Sequence, residues 1–233
     1  MTDPQRKLLT SIVYFFGQVL GPDYEILLQD LTDKNHSVVA IANGEISGRT
    51  VGSPITDAAL DLLTNKKYEG TDYLVNCQGT TTQDTMLRSS TLFIKDADGV
   101  PYALLCVNFD DRRYIELHDK ILALAHPLSF LKQYSTHTVQ PANIPEYFEL
   151  QNTADTMNEN FPPDIDTLMN TIYQTVITNS PFPDGRLNQE ERIQVIKLLH
   201  QQGLFKLKGA VSFVAKKLAC STASIYRYLN GIR

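Results

Sequence analysis

The sequence predicts an α+β protein in two parts: an N-terminal antiparallel sheet with flanking helices, and a small all-α region at the C-terminus. Three observations carry that expectation. Apolar residues recur at helical spacing near the start and alternate at strand spacing between residues 24 and 109. A stretch rich in Thr, Gln, Asn and Pro then interrupts the pattern. Positive charge is gathered at the end: Arg192 to Arg233 holds eight Lys or Arg and no Asp or Glu, whereas the preceding residues hold 13 basic and 26 acidic ones. With 233 residues, 42% hydrophobic and 20% charged, the chain has the composition of a packed globular protein.

Element by element, Leu8, Leu9, Ile12, Val13, Phe16, Val19 and Leu20 mark a helix over 4–20, stopped by Gly21-Pro22-Asp23. Two strands follow, Tyr24 to Leu31 and Ser37 to Ala42, joined by a turn-rich Thr32-Asp33-Lys34-Asn35. Residues 43–54 contain three glycines and a proline and read as loop. Thr56 caps a helix to about Leu63. Three strands come next: Tyr73 to Cys77, leading into a Gly-Thr turn; Met86 to Lys95; and Pro101 to Phe109, the most apolar of all, after the hairpin turn Asp96-Ala97-Asp98-Gly99. This is the strand order of a sensory domain of the PAS kind, assigned here to residues 1–134. A helix over 112–131 leaves it, kinked or ended at Pro127. Residues 135–163 read as a linker with little regular structure. In the region 164–233, Asp164 caps a helix to about Ile177, and 180–185 is loop. Three helices, Asn188 to Gln202, Lys208 to Leu218 and Thr222 to about Asn230, close the chain.

Residues 188–233 have the pattern of a helix-turn-helix. Val211, Val214, Ala215 and Leu218 share one helical face, and Ile225 and Leu229 share the next. Small Ala215 allows close helix approach, and Ser221 caps the second helix after the turn Ala219-Cys220-Ser221, where glycine is commoner than Ala219. That helix then presents Thr222, Ser224, Tyr226 and Arg227, hydrogen-bonding and cationic groups suited to a major groove. Thr222, Ser224 and Arg227 are the expected base readers; Tyr226, Lys208, Lys216 and Lys217 are expected phosphate contacts. The expected partner is a double-stranded DNA operator, read by a homodimer or higher homo-oligomer, with the apolar stripes of 4–20 and 112–131 as dimer surfaces.

Several stretches together resemble the YheO-like family of transcriptional regulators. They are Gly21-Pro22 with Glu25; Ala40 to Gly44 through Ser47-Gly48-Arg49 and Gly52; Leu87 to Ile94; Leu105 to Asp110; and Lys208 to Val211 with Ile225 to Leu229. The resemblance implies an N-terminal PAS-type domain that senses a signal and a C-terminal helix-turn-helix that binds DNA. It does not imply a particular ligand or any cofactor.

PAS-type folds bind small molecules between the sheet and its covering helices, so polar residues in apolar surroundings are candidate ligand contacts. Asn43, Ser47, Arg49, Asn76, Arg88, Ser89, Ser90 and Asn108 fit, the expected ligand being a small polar, anionic metabolite. Asn43 and Asn108 have an alternative role, pinning loop backbones. Enzymatic signatures are missing from the sequence: the five histidines lack metal spacing, no Cys-x-x-Cys occurs, and Gly44 to Gly48 lacks a phosphate-loop lysine. Three scattered cysteines and no membrane-length apolar run lead to a cytoplasmic expectation. The competing class is a protein-interaction or small-molecule-binding module without sequence-specific DNA binding.

Overall fold

A computed structural model describes residues 1–126, 158–180 and 187–231. The element order is α1 (Asp3–Leu20), β1 (Tyr24–Asp30), β2 (Val38–Ala42), α2 (Asp57–Thr64), β3 (Tyr73–Thr81), β4 (Met86–Lys95), β5 (Pro101–Phe109), α3 (Arg112–Ala125), β6 (Asn158–Phe161), α4 (Ile165–Thr178), α5 (Gln189–Gln201), α6 (Ala210–Lys217) and α7 (Thr222–Asn230). Six strands form one sheet in the order β2-β1-β5-β4-β3-β6, antiparallel throughout except that β6 runs parallel to β3.

Strand alternation sends the two faces of the sheet to different partners. Ile26, Leu28 and Ala103 pack with Val13 of α1. Leu27, Leu74, Cys77, Phe93, Leu104 and Cys106 face the other way and join one continuous core with α2 and the C-terminal helices. That core holds Leu60, Leu168, Ile172, Ile196, Leu199, Val214 and Ile225, so the helical region shares its interior with the sheet domain. Asn35 clamps the backbone ahead of α6: its Nδ2 donates to Lys208 O at 3.2 Å, and Lys208 N donates to its Oδ1 at 3.0 Å.

Two expectations need correction. The four residues 158–161, at the end of the segment read as linker, are strand β6. Their backbone finds the open edge of β3, with Gln78 opposite Asn158 and Thr81 opposite Phe161. The Gly-Thr turn expected after Cys77 is strand as well, because β3 runs on to Thr81. Gly79 serves there as a place of close approach: a Cβ on it would lie 2.5 Å from Cε2 and 2.6 Å from Cζ of Phe161. β3 also carries a bulge between Leu74 and Cys77, with Asn76 at φ 60°. Residues 127–131 of the expected helix, 135–157 of the expected linker and 181–185 of the expected loop lie outside the described residues.

Among the described residues no helix is long and apolar enough to cross a membrane. Gly79→Ala pushes a methyl into the Phe161 ring, so it lowers stability by about 1–3 kcal/mol in a thermal or denaturant melt. A variant as stable as the parent contradicts this packing.

Candidate functional site

Two sites emerge, one at each end of the shared core. The first is the unit α5-α6-α7. Asn188 and Glu191 form a reciprocal capping box at the start of α5. Val195, Ile196 and Leu199 of α5 are fully buried, as are Val214 of α6 and Ile225 of α7. Ser221 caps α7 by accepting from Ser224 N at 3.1 Å. Ala219 holds the turn in a left-handed conformation, φ 49°, which explains why glycine is the commoner residue there.

With Ile225 turned inward, Thr222, Tyr226 and Arg227 of α7 are exposed, and Ser224 is half-buried with its hydroxyl 3.0 Å from that of Ser221. Arg227 lies over the Tyr228 ring, 5.4 Å from its centroid. Lys208 and Lys216 are also exposed. Lys217 is exposed too, but its Nζ sits 5.6 Å from the Tyr173 ring centroid and 5.5 Å from that of Phe213, which ties α6 to α4.

The second site is a buried polar network on the inner face of the sheet. Glu25 of β1 is completely buried; Ser47 Oγ donates to its Oε2 at 2.5 Å and Asn108 Nδ2 donates to its Oε1 at 2.7 Å. Glu159 of β6 receives Thr56 Oγ1 on Oε1 and Ser89 Oγ on Oε2, both at 2.6 Å. Arg49, 2% exposed, is attracted by both carboxylates and donates from Nη2 to Pro54 O. Beside it, Asp57 accepts from Asn160 N at 3.0 Å and Asn160 Nδ2 at 2.5 Å.

Burial penalises charge here and dominates the titration. It raises Glu25, Glu159 and Asp57 above their ordinary carboxyl values, against their hydrogen bonds and, for the two glutamates, the Arg49 charge; it lowers Arg49 against the attraction of Glu159 and Glu25. The nearby thiols of Cys77 and Cys106 are pushed up to about 11, chiefly by burial, so neither is a ready nucleophile. No group of residues suited to holding a metal ion occurs among the described residues.

Of the candidate ligand contacts, Ser47, Arg49, Ser89 and Asn108 are brought together in this network. The other four are elsewhere. Asn43 donates to Gly21 O at 3.0 Å and Tyr24 O at 2.7 Å, pinning loop backbone. Asn76 is exposed on the bulge, its N donating to Ser90 Oγ. Arg88 is exposed and stacks over Phe109, on the opposite face from Asn108. Sequence reasoning missed Glu25 and Glu159 as site residues. Glu25 carried a signal, being a charge on the inward side of a strand that continues with Leu27 and Gln29. Glu159 had none, standing in a segment without periodicity.

Two measurements check these geometries. Ala219→Gly removes the left-handed strain and raises stability by up to about 1 kcal/mol. The network carboxyls have raised values, so the stability they contribute is full below their ordinary range, near 4.5 for the two glutamates, and is lost as pH rises through their folded values. Glu159→Gln therefore flattens the fall in Tm as pH rises above about 4.5, and an unchanged slope contradicts the assignment.

The comparisons with known proteins agree with this layout. The YheO-like PAS domain family matches residues 2–126, and a helix-turn-helix domain family matches 168–230, a span that takes in most of α4. A Haemophilus influenzae protein is 26% identical over 100% of this chain and 94% of its own length. Protein YheO of Escherichia coli K12 is 27% identical over 96% of this chain and 83% of its own. Transcriptional regulator DauR of Pseudomonas aeruginosa is 26% identical over 99% of this chain and 96% of its own. The chain belongs to the YheO-like PAS domain family and ends in a helix-turn-helix domain.

Proposed function

We propose that this protein is a DNA-binding transcriptional regulator in which α7 reads the major groove and the buried network of the PAS domain receives a small polar metabolite. The observation that carries the first half is the outer face of α7. Thr222, Tyr226 and Arg227 project from a capped helix whose opposite side is locked by Ile225, in a segment with eight positive charges and no acidic residue. Thr222, Ser224 and Arg227 reach base edges; Tyr226 hydrogen-bonds to phosphate, and Lys208 and Lys216 neutralise it. Lys217 belongs to the packing of α6 on α4 first and to phosphate second.

The two halves communicate through α2. Thr56 caps α2 by accepting from Ala59 N while donating to Glu159, so the helix begins in the network. Its other end meets the helical domain at Gly203, where a Cβ would lie 2.3 Å from Thr64 Oγ1 and 3.2 Å from Leu60 Cγ. A ligand that reorganises Glu159 moves the cap of α2 and, through this contact, the start of the helix-turn-helix.

The protein works as a homodimer. α1 buries Val13 and Gly17 but leaves Leu8, Phe15 and Val19 each more than 60% exposed. α3 buries nothing, and its exposed Tyr114, Leu117, Ile121 and Leu124 follow a three-four-three spacing suited to a helix seam. The salt bridge from Arg113 to Asp23 sets the start of α3 beside the end of α1. Large side chains bury about 150–250 Å² each, so these residues approach the roughly 800 Å² per partner that a specific interface needs.

Two experiments test this reading. In a mobility-shift titration with the gene's own upstream DNA, Arg227→Ala weakens binding at least tenfold, and Lys216→Ala reduces the salt slope by about one. Arg227→Ala binding as tightly as wild type rejects α7 as the reading helix. In analytical ultracentrifugation the wild type sediments as a dimer and Phe15→Glu shifts it toward monomer; a monomeric wild type rejects the dimer.

A further inference from the structure

We infer that the PAS domain touches the duplex itself: Lys34, on the turn between β1 and β2, joins Lys206 and Lys208 across the domain seam in a cradle for adjacent phosphates of the DNA backbone. The inference rests on the DNA-binding reading proposed above and extends it beyond the helix-turn-helix. In that motif the first helix of the pair crosses the sugar-phosphate backbone while the second enters the groove. Here the first helix is α6, and Lys208, just ahead of it, is a proposed phosphate contact. Asn35 bonds to both backbone polar groups of Lys208, so the 3₁₀ turn Lys34–His36 stands at the same place. Both bonds lie at the protein surface.

Three ammonium groups gather along this seam. Lys206, at the end of the 3₁₀ turn Leu204–Lys206, and Lys208 are exposed; Lys34 is half-buried. Lys206 titrates below its ordinary value, first because water is partly excluded from it and then because Lys34 repels it from the other side of the seam. Among the described residues none of the three makes an ion pair. Lys34 uses one of its three donors, on Leu31 O at 3.2 Å. The acid of this turn, Asp33, is engaged locally: its carboxylate accepts from Asn35 N at 3.0 Å and lies 3.1 Å from Nδ1 of His36.

Like charges brought together across a seam oppose the docking that brings them together, and an anion between them turns the repulsion into attraction. A phosphodiester is the anion that α6 carries to this place, and each one neutralised releases counterions. The turn is fixed in advance, because Ile55 N donates to Lys34 O at 2.9 Å, so contact with DNA orders little additional chain. A duplex held by Lys34 on one side and by Lys206 and Lys208 on the other also fastens the two domains to each other.

Fluorescence anisotropy of the full chain across a salt series tests this, on a labelled upstream duplex and on a scrambled duplex of equal length. Lys34→Ala is expected to lower the slope of log affinity against log salt by about one. It weakens both duplexes by the same factor, since a phosphate contact carries no sequence information. Lys34→Arg, which keeps a cation there, retains the wild-type slope. Lys206→Ala, at an exposed position, gives the same loss and serves if Lys34→Ala does not fold. A slope unchanged in Lys34→Ala, or in Lys206→Ala where that variant stands in, overturns the cradle. Weaker binding at an unchanged slope also overturns it, being the mark of a turn that shifts once the bond to Leu31 is lost. A wild type that binds neither duplex overturns the DNA-binding reading itself, and the cradle with it.

Discussion

Much of the architecture depends on one carboxylate. Glu159 enters the sheet on a four-residue strand, far along the chain from β3, and its two oxygens are taken by hydroxyls from separate elements: Thr56 at the cap of α2 and Ser89 on β4. Arg49 attracts its charged form from the side, against a burial that favours the neutral one. A single side chain thereby fastens the last strand, the first turn of a helix and the middle of the sheet. Removing any one of these groups leaves the others buried and short of a partner, which is far costlier than the bonds are individually strong.

Because α2 starts at that carboxylate and ends against the helical domain, the polar network and the helix-turn-helix share a mechanical element. The continuous core running from Leu27 to Ile225 makes the same point in apolar terms. Charge is divided in the opposite sense. An acidic body repels phosphate, while the terminal segment carries positive charge without any acidic residue, so attraction to a duplex is concentrated in the domain that presents α7.

Most of the fold was legible because its elements have strong local signatures. α1, α2, β1, β4 and β5 announce themselves by periodicity and by caps such as Thr56 and Asp164, and Ser221 marked the start of α7. What escaped depends on contacts distant in sequence. β6 has no alternation of its own and becomes a strand only because β3 offers an edge. Gly79 looked like a turn residue because nothing local reveals that a phenylalanine about eighty positions later needs its space. The site was legible in part for the same reason. Ser47, Arg49, Ser89 and Asn108 stand out as polar residues in apolar surroundings, whereas Glu159 is recognisable only once the strand that carries it is placed.

The central claim is that this network and α7, the helix proposed to read DNA, are coupled through α2. Fluorescence anisotropy with a labelled upstream duplex measures it most directly, comparing wild type with Glu159→Gln, which keeps the shape of the side chain and removes its ability to ionise. The account predicts an intact fold by circular dichroism and a change in DNA affinity of at least several-fold, although Glu159 lies on the sheet and not on α7. An affinity within twofold of wild type, with the fold intact, contradicts the coupling.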